Sequence, residues 1–198
     1  MIKIAITGAP CSGKSEFVGF MKQKHPGILA LPEIASIIKA TGMAFGTEIE
    51  RIGFQTAIYQ LQSSLENAIA TNIPNEASYK FMLCDRGTVD AISYYPQHYF
   101  DAYHKATILD EAYSYDGVVF FLLPGTEELY NEHRSNNPHR EEGYEASLEL
   151  EKSLLSLWEL HQNLHIVPFG ESSEAKYRAA EEAVFSIVDN AGAIRQQL

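Results

Sequence analysis

Short apolar runs alternate with longer stretches of mixed polarity along most of the chain. Five runs have the length and composition of a buried strand, at residues 2–6, 28–31, 81–84, 118–123 and 164–167. Continuously apolar strands separated by helical segments are typical of a parallel sheet covered by helices on both faces. The pattern therefore predicts an α/β fold, a three-layer sandwich around a five-stranded parallel sheet.

The stretches between the strands predict helices at residues 13–24, 34–40, 48–70, 89–113 with a break at Pro96, 127–133, 144–163 and 173–190. In the helix at 48–70, Ile58, Leu61, Leu65 and Ile69 recur at the spacing of a core-facing stripe. A polar stripe lies beside it, formed by Arg51, Gln55, Gln62 and Glu66. This polar stripe is either the solvated side of the helix or one wall of a pocket for a second substrate.

Length and composition bound the kind of protein this chain can be. Its 198 residues, 45% of them hydrophobic, suffice for one well-buried domain over residues 1–198. No apolar run approaches the ~20 residues of a membrane helix, and the chain starts in a strand without a basic, cleavable leader. We expect a complete cytoplasmic protein without membrane contact. Its two cysteines, Cys11 and Cys84, are expected to be free thiols.

The charge balance excludes one class of partner. The net charge of −11 argues against binding to a nucleic acid polymer, because phosphate backbones are held by clustered Lys and Arg. A single nucleotide is not excluded, since a few cations focused in one cleft can hold a triphosphate on an acidic protein. The oligomeric state cannot be read from the sequence.

The strongest chemical signal follows the first predicted strand. Residues 8–15 fit the phosphate-binding pattern of Gly, four variable positions, Gly, Lys and Ser or Thr. The glycines let the chain curl, so that backbone N–H groups and the start of the next helix face one phosphate group. Lys14 reaches the outer phosphates, and Ser15 offers a hydroxyl to Mg²⁺. The residues predicted to bind ATP are Gly8, Ala9, Pro10, Cys11, Ser12, Gly13, Lys14, Ser15 and Glu16.

Charged residues also follow the second and third predicted strands. The carboxyl ends of parallel strands gather at one cleft, so we expect Glu33, Asp85 and Arg86 beside the phosphate loop. Asp85 is a candidate Mg²⁺ ligand, and Arg86 can bind an acceptor or stabilise transferred phosphoryl charge, unless the two form only a salt-bridged turn with Asp90. Glu33 is either the base that accepts a hydroxyl proton or an acid favoured by the helix dipole.

A polar segment at residues 133–140 concentrates positive charge in an acidic chain. Its place between two predicted helices suits a short lid, approximately residues 134–143, that closes over the nucleotide and excludes water. Arg140 is assigned to the transferred phosphoryl group and Arg134 to the base or phosphates of the nucleotide; a solvated loop is the alternative. The predicted catalytic set is Lys14, Glu33, Asp85, Arg86, Arg134 and Arg140.

Several short motifs together resemble one P-loop family. They are residues 6–15, Leu31-Pro32-Glu33, Gln62 with Glu66, Asp85-Arg86-Gly87 with Asp90 and Tyr94, and the strand at 118–123 before an arginine-bearing loop. Over residues 2–170 the chain is similar to the AAA-type ATP-binding domain family that includes the nicotinamide riboside kinase-like half of bifunctional NAD-biosynthesis regulators. The resemblance implies a P-loop nucleotide-kinase-like fold, ATP and Mg²⁺, and, for some relatives, phosphoryl transfer to a nucleoside hydroxyl.

Carried over by position, Lys14 and Ser15 match the family's phosphate and metal contacts, and Asp85-Arg86 matches the motif after the third strand. The chain lacks the adenylyltransferase half of the bifunctional proteins, which leaves a role in NAD synthesis open. Its strand end reads Asp-Arg where many ATPases have an Asp-Glu pair, so no second acid is placed to activate water.

Together the motifs predict an ATP-dependent small-molecule kinase that transfers the γ-phosphate to a nucleoside-like hydroxyl acceptor. The absence of an Asn-Lys-x-Asp guanine motif favours ATP over GTP. The alternatives are a nucleotide-dependent regulatory switch, an ATPase with little kinase activity, or an interaction module with a vestigial nucleotide site.

Overall fold

The computed structural model describes residues 1–73, 81–95, 99, 107–135, 143–170 and 172–195. The predicted fold class is confirmed, because the described residues contain a five-stranded sheet in which every pairing is parallel. Its strands are β1 (Ile2–Thr7), β2 (Leu29–Leu31), β3 (Phe81–Asp85), β4 (Gly117–Phe121) and β5 (Leu164–Val167). Their order across the sheet is β2-β3-β1-β4-β5, so β1 is central. From β1 the chain crosses to the edge strand β2 and returns to β3, and it then continues on the other side of β1 with β4 and β5.

Helices connect the strands. They are α1 (Lys14–Lys24), α2 (Ile34–Lys39), α3 (Glu48–Asn72), a 3₁₀ helix (Thr88–Tyr94), α4 (Ile108–Ala112), α5 (Glu127–Ser135), α6 (Tyr144–Trp158) and α7 (Ser173–Arg195). Helix α6 ends five residues before the predicted end at residue 163, because a turn at Glu159 and Leu160 leads into β5. The predicted helix at 89–113 is observed only as the 3₁₀ helix and α4; residues 96–98 and 100–106 lie outside the described residues.

Alternation along β1 divides the core between the two faces of the sheet. Ile4 and Ile6 pack on one face with apolar side chains of α1 and α7, including Phe17 and Val184. Ala5 points to the other face, into a cluster formed with the 3₁₀ helix, α4 and α6. No helix in the described parts of the chain combines the length and apolarity that a membrane crossing requires.

Helix α3 confirms most of its predicted apolar stripe, because Ile58, Leu65 and Ile69 pack against the core as partly buried side chains. Leu61 is 41% exposed, so its assignment to the core is wrong. Besides Phe54, the residues that α3 buries are polar: Gln55, Gln62 and Glu66. The helix begins with a capping box, in which the Thr47 side chain and Glu50 satisfy each other's backbone N–H groups.

Gly87 tests how tightly the turn after β3 packs against α6. A Cβ at this position would lie 2.3 Å and 2.6 Å from two carbons of the Trp158 ring. We expect Gly87→Ala to lower the free energy of unfolding by about 1–3 kcal/mol, because the close-packed core has no room for the added methyl group. The control is Gly19→Ala, at an exposed position of α1 where a Cβ would have no atom within 4 Å. This substitution should raise the free energy of unfolding by about 0.5–1 kcal/mol. Urea unfolding measures both, and a stable Gly87→Ala variant would contradict this packing.

Candidate functional site

The phosphate-loop sequence forms a tightly curled segment between β1 and α1. Gly8, Cys11 and Gly13 have positive φ values of 133°, 64° and 88°. Residues 8–12 are all buried. Only glycine fits at position 8, because a Cβ there would lie 2.3 Å from the Phe121 carbonyl oxygen at the end of β4. The curled backbone and the first turn of α1 form the kind of concavity in which N–H groups bind anions.

Lys14, the first residue of α1, lies against this loop. Its Nζ donates to the Ala9 carbonyl oxygen at 2.7 Å and to the Ser12 hydroxyl at 3.1 Å. The side chain is buried, whereas Ser15 and Glu16 on the same turn are exposed. Phosphate oxygens bound by the loop can replace these acceptors without moving the lysine away from it.

Asp85 ends β3 beside the central strand and has the properties of a metal ligand. Its carboxylate is 5% exposed, and within the described residues its Oδ1 is buried without a hydrogen-bond partner. Burial raises the pKa of Asp85, although Lys14 and the nearby Ser15 hydroxyl act in the opposite direction. A buried carboxylate oxygen with unused acceptor capacity next to a serine hydroxyl fits Mg²⁺, which needs few protein ligands when phosphates supply the others. No cluster of three or more His, Cys, Asp or Glu ligands occurs in the described ranges.

Glu33 and Arg86, which follow the carboxyl ends of the neighbouring strands β2 and β3, form an ion pair. Arg86 Nε lies 3.0 Å from Glu33 Oε1, and its Nη1 donates to the Gly8 carbonyl oxygen at 3.3 Å. Glu33 Oε2 accepts from the Ser36 hydroxyl at 2.7 Å. Burial alone would raise the pKa of Glu33, but the Arg86 charge and the Ser36 hydroxyl outweigh it and lower the pKa to about 2.

Arg86 adopts a left-handed backbone conformation, with φ 81°, and has a second carboxylate near it. Its Nη1 lies 3.6 Å from Asp90 Oδ2. Asp90 also accepts from the Thr7 hydroxyl at 2.8 Å and from Trp158 Nε1 at 2.7 Å, so it joins β1 to α6. The Asp85-Arg86 turn therefore combines a salt bridge to Asp90 with a contact to the phosphate loop.

Two residues of the polar stripe on α3 form hydrogen bonds that support the Asp85-Arg86 turn. Gln62 Nε2 donates to the Arg86 carbonyl oxygen at 2.5 Å and to Glu66 Oε1 at 2.9 Å. Glu66 in turn accepts from Lys3 Nζ and from the Tyr115 hydroxyl, both at 2.8 Å. These bonds make Gln62 and Glu66 supports of the Arg86 backbone, a role that the helical pattern alone did not indicate.

Gln55 and Arg51 occupy the rest of the stripe, nearer the amino end of α3. Gln55 is buried, and its side-chain amide has no hydrogen-bond partner in the described part of the chain. Arg51 is exposed, and its carbonyl oxygen accepts from the Tyr95 hydroxyl. Of the four predicted pocket residues, Gln55 is the buried one whose side-chain hydrogen-bonding capacity is unused.

Lys176 on α7 is a neighbour of the phosphate loop that the motif search missed. It is 5% exposed, and its Nζ donates to the Ser12 carbonyl oxygen at 2.6 Å. The available signal was a lysine in helical register with the buried alanines Ala180 and Ala183. A charged residue on a core-facing stripe indicates a specific partner, but the sequence does not reveal a partner 164 residues away.

The predicted lid is only partly within the described residues. Arg134 is half-buried in the last turn of α5, one residue before that helix ends. The adjacent His133 ring packs edge-on against Phe169, 5.4 Å between centroids, in the segment after β5. Arg140 and residues 136–142 lie outside the described residues, so the lid and the roles of both arginines stay predictions.

A solved structure shares this architecture. The chain is similar to a deoxyadenosine kinase from M. mycoides whose structure has products dCMP and a flexible dCDP bound. The TM-score is 0.64 at 14% sequence identity, and the match covers 93% of this chain and 100% of the kinase chain. At this identity the likeness establishes the fold, which is that of a P-loop nucleoside kinase.

Comparison at the level of sequence gives the family. No curated protein matches the sequence. The family model AAA_28, described as an AAA domain, matches residues 3–189, which include the phosphate loop, the five strands except the first residue of β1, and most of α7. The chain therefore belongs to the AAA domain family of P-loop proteins.

Proposed function

We propose that this protein is an ATP-dependent kinase that transfers the γ-phosphate to a hydroxyl of a nucleoside-like small molecule. One observation carries the proposal: the contact sequence from Glu33 through Arg86 to the Gly8 carbonyl, with distances of 3.0 Å and 3.3 Å. It supports the proposal because Glu33 lies within one side chain, that of Arg86, of the loop predicted to bind phosphate. An acceptor hydroxyl bound beside this contact would meet both a proton acceptor and the transferred phosphate.

The donor half consists of the loop amides, Lys14, Ser15 and Asp85. The amides and Lys14 hold the triphosphate, while the Ser15 hydroxyl and the unpaired Asp85 oxygen hold Mg²⁺. Bound there, Mg²⁺ neutralises part of the phosphate charge. Because phosphoryl transfer is mostly positioning and electrostatic stabilisation, this set supplies most of what the chemistry requires.

The transfer step uses Glu33 and Arg86. The acceptor oxygen forms a bond to the γ-phosphorus as the bond from that phosphorus to the bridging oxygen of ADP breaks, and the hydroxyl proton passes to Glu33. With its pKa near 2, Glu33 is ionised at neutral pH and ready to accept. A carboxylate this weakly basic suits a loose transition state, in which the proton leaves only after the new bond has begun to form. Arg86 stabilises the charge on the moving phosphoryl group.

The acceptor half lies where α3 approaches this pair. The buried, unused amide of Gln55 can donate to and accept from one edge of a base. The name of the M. mycoides relative supports a nucleoside as the acceptor, and the resemblance to nicotinamide riboside kinase-like domains supports a ribosyl compound. In the predicted lid over residues 134–143, Arg140 is assigned to the transferred phosphoryl group and Arg134 to the base or phosphates of the nucleotide.

A substrate panel that follows ADP release tests the proposal. The full chain with Mg²⁺ and ATP is offered deoxyadenosine, deoxycytidine, the common ribonucleosides and nicotinamide riboside. At least one acceptor should raise ADP release by about 100-fold or more over the rate without acceptor, with one phosphorylated product per ADP. Glu33→Gln keeps the shape and the bond from Ser36 but removes the proton acceptor, and should lower the rate by about 10²–10⁴-fold.

The matched control is Glu174→Gln, an exposed glutamate of α7, which should leave the rate unchanged. ADP release that no acceptor increases would contradict the kinase proposal and favour an ATPase. Nucleotide binding without ADP release would favour a regulatory switch.

A further inference from the structure

Lys176 is buried against the phosphate loop, on the side of the peptide to which the Ser12 carbonyl oxygen points. Its Nζ lies 2.6 Å from the Ser12 carbonyl oxygen, 4.4 Å from the centroid of Phe169 and 5.5 Å from that of Phe121. A Cβ on Gly13 would lie 3.4 Å from the same nitrogen. The lysine is thus fixed by one hydrogen bond and two aromatic rings, directly on the peptide that joins Ser12 to Gly13.

The planarity of that peptide decides what the contact does. In a trans peptide the C=O and N–H groups point in opposite directions, and the described chain contains no cis peptide. A cation that holds the Ser12 carbonyl on its own side of the peptide therefore holds the Gly13 N–H on the opposite side, away from Lys176. The charge also polarises the peptide, which makes that N–H a stronger donor.

We propose that Lys176 is a positioning residue for nucleotide binding. Its hydrogen bond to the Ser12 carbonyl oxygen orients the Gly13 N–H and makes it a stronger hydrogen-bond donor to phosphate. This inference rests on the proposed binding of nucleotide by the loop. It adds a residue from α7 to a site otherwise formed by the strand ends, and it makes the charge of that residue part of the affinity for phosphate.

The surroundings of Lys176 set the pH range in which this charge changes. The acids that face it are Glu16 on α1 and Glu151 on α6, and Lys14 lies near Glu151. From α5, His133 packs on Phe169. Burial lowers the pKa of Lys176 to about 8, even though the two glutamates oppose the shift.

The sign of the pH dependence follows directly. A bound phosphate anion favours the charged lysine, so binding takes up a proton above pH 8 and affinity falls as the pH rises through that value. The phosphate's own ionisation, near pH 6, lies below this range.

Calorimetry with Mg²⁺–ATP and with Mg²⁺–pyrophosphate on the full chain tests the proposal between pH 7 and 9.5. Lys176→Met keeps the stem that packs on the two rings and removes the charge; Lys176→Arg keeps the charge. At pH 7 we expect Lys176→Met to bind both probes about 10–30-fold more weakly, and Lys176→Arg to recover most of that loss. Between pH 7 and 9.5 the affinity of the unmodified protein should fall about 10-fold, and that of Lys176→Met should stay level.

The outcomes separate this inference from the proposed function. If the unmodified protein binds neither probe, the proposed function fails. If it binds and its affinity is level from pH 7 to 9.5, the role of Lys176 is refuted even without a folded variant. Equal affinities of Lys176→Met and the unmodified protein at each pH would refute it as well. The control Lys22→Met changes an exposed lysine of α1 and should match the unmodified protein.

Discussion

Replacing Lys14 by methionine is expected to lower the rate of phosphoryl transfer by about 10³-fold or more. The ammonium group lies on the loop through the Ala9 carbonyl and the Ser12 hydroxyl, where it can meet the outer phosphates as their charge shifts during transfer. Methionine fills the same space without charge. The free energy of unfolding should also fall, by about 1–3 kcal/mol, because the charge of Lys14 stabilises the buried carboxylates of Asp85 and Asp90.

The measurement is the rate of acceptor-dependent ADP release, together with urea unfolding of the same preparation. Lys22→Met, on the exposed side of the same helix, serves as the control and should keep both values. A Lys14→Met variant that is folded and transfers phosphate at the original rate would refute the assignment of residues 8–15 as the donor site.

The second large effect is on stability. Arg86→Met should lower the free energy of unfolding by about 3 kcal/mol or more, because it leaves the Glu33 and Asp90 carboxylates without their cation. Asp90 is only 3% exposed, so water cannot replace the guanidinium there. Arg178→Met, which breaks an exposed pair with Glu174, should cost less than about 0.5 kcal/mol. Adding Asp90→Asn to Arg86→Met should restore part of the loss, since the uncharged asparagine oxygen can accept from Trp158 while its amide donates to the Thr7 hydroxyl.

Arg86→Met should also change how the free energy of unfolding depends on pH. Glu33 has a folded pKa of about 2 against an ordinary value of 4.5, so its contribution is complete above pH 4.5 and is lost as the pH falls towards 2. Without Arg86 this pKa should rise, and the loss between pH 4.5 and 2 should shrink. Urea unfolding at several pH values measures both slopes, and parallel slopes for the two proteins would contradict the pairing of Arg86 with Glu33.

The strands and the phosphate loop could be predicted because their signals are local. Each strand is a continuous apolar run, and residues 8–15 carry their own chemistry in a fixed spacing. The rule that strand ends share a cleft also placed Glu33 and Arg86 near each other. It did not predict that they would bind one another, because the direction of each side chain depends on the left-handed turn at Arg86.

Helix α3 shows where the pattern of polar and apolar residues stops being informative. Both stripes have helical spacing, and the sequence favours the apolar one as the core. Instead Leu61 is exposed while Gln62 and Glu66 are buried, because the Arg86 carbonyl, Lys3 and Tyr115 offer them partners inside the fold. Partners from β1, β3 and the segment before β4 are distant in the sequence, so no local window contains them. The contact of Lys176 could not be predicted for the same reason, because its partner Ser12 lies 164 residues away in the sequence.

The indole of Trp158 allows the buried contact at Asp90 to be monitored by tryptophan fluorescence. It is the chain's single tryptophan, fully buried, and its N–H bonds to the carboxylate that also holds Thr7 and lies near Arg86. If a substrate engages Arg86 as proposed, the electric field at that carboxylate should change, and the emission of the single tryptophan should change with it. Substrate occupancy would then be followed by intrinsic fluorescence in stopped flow, without a label and without waiting for product.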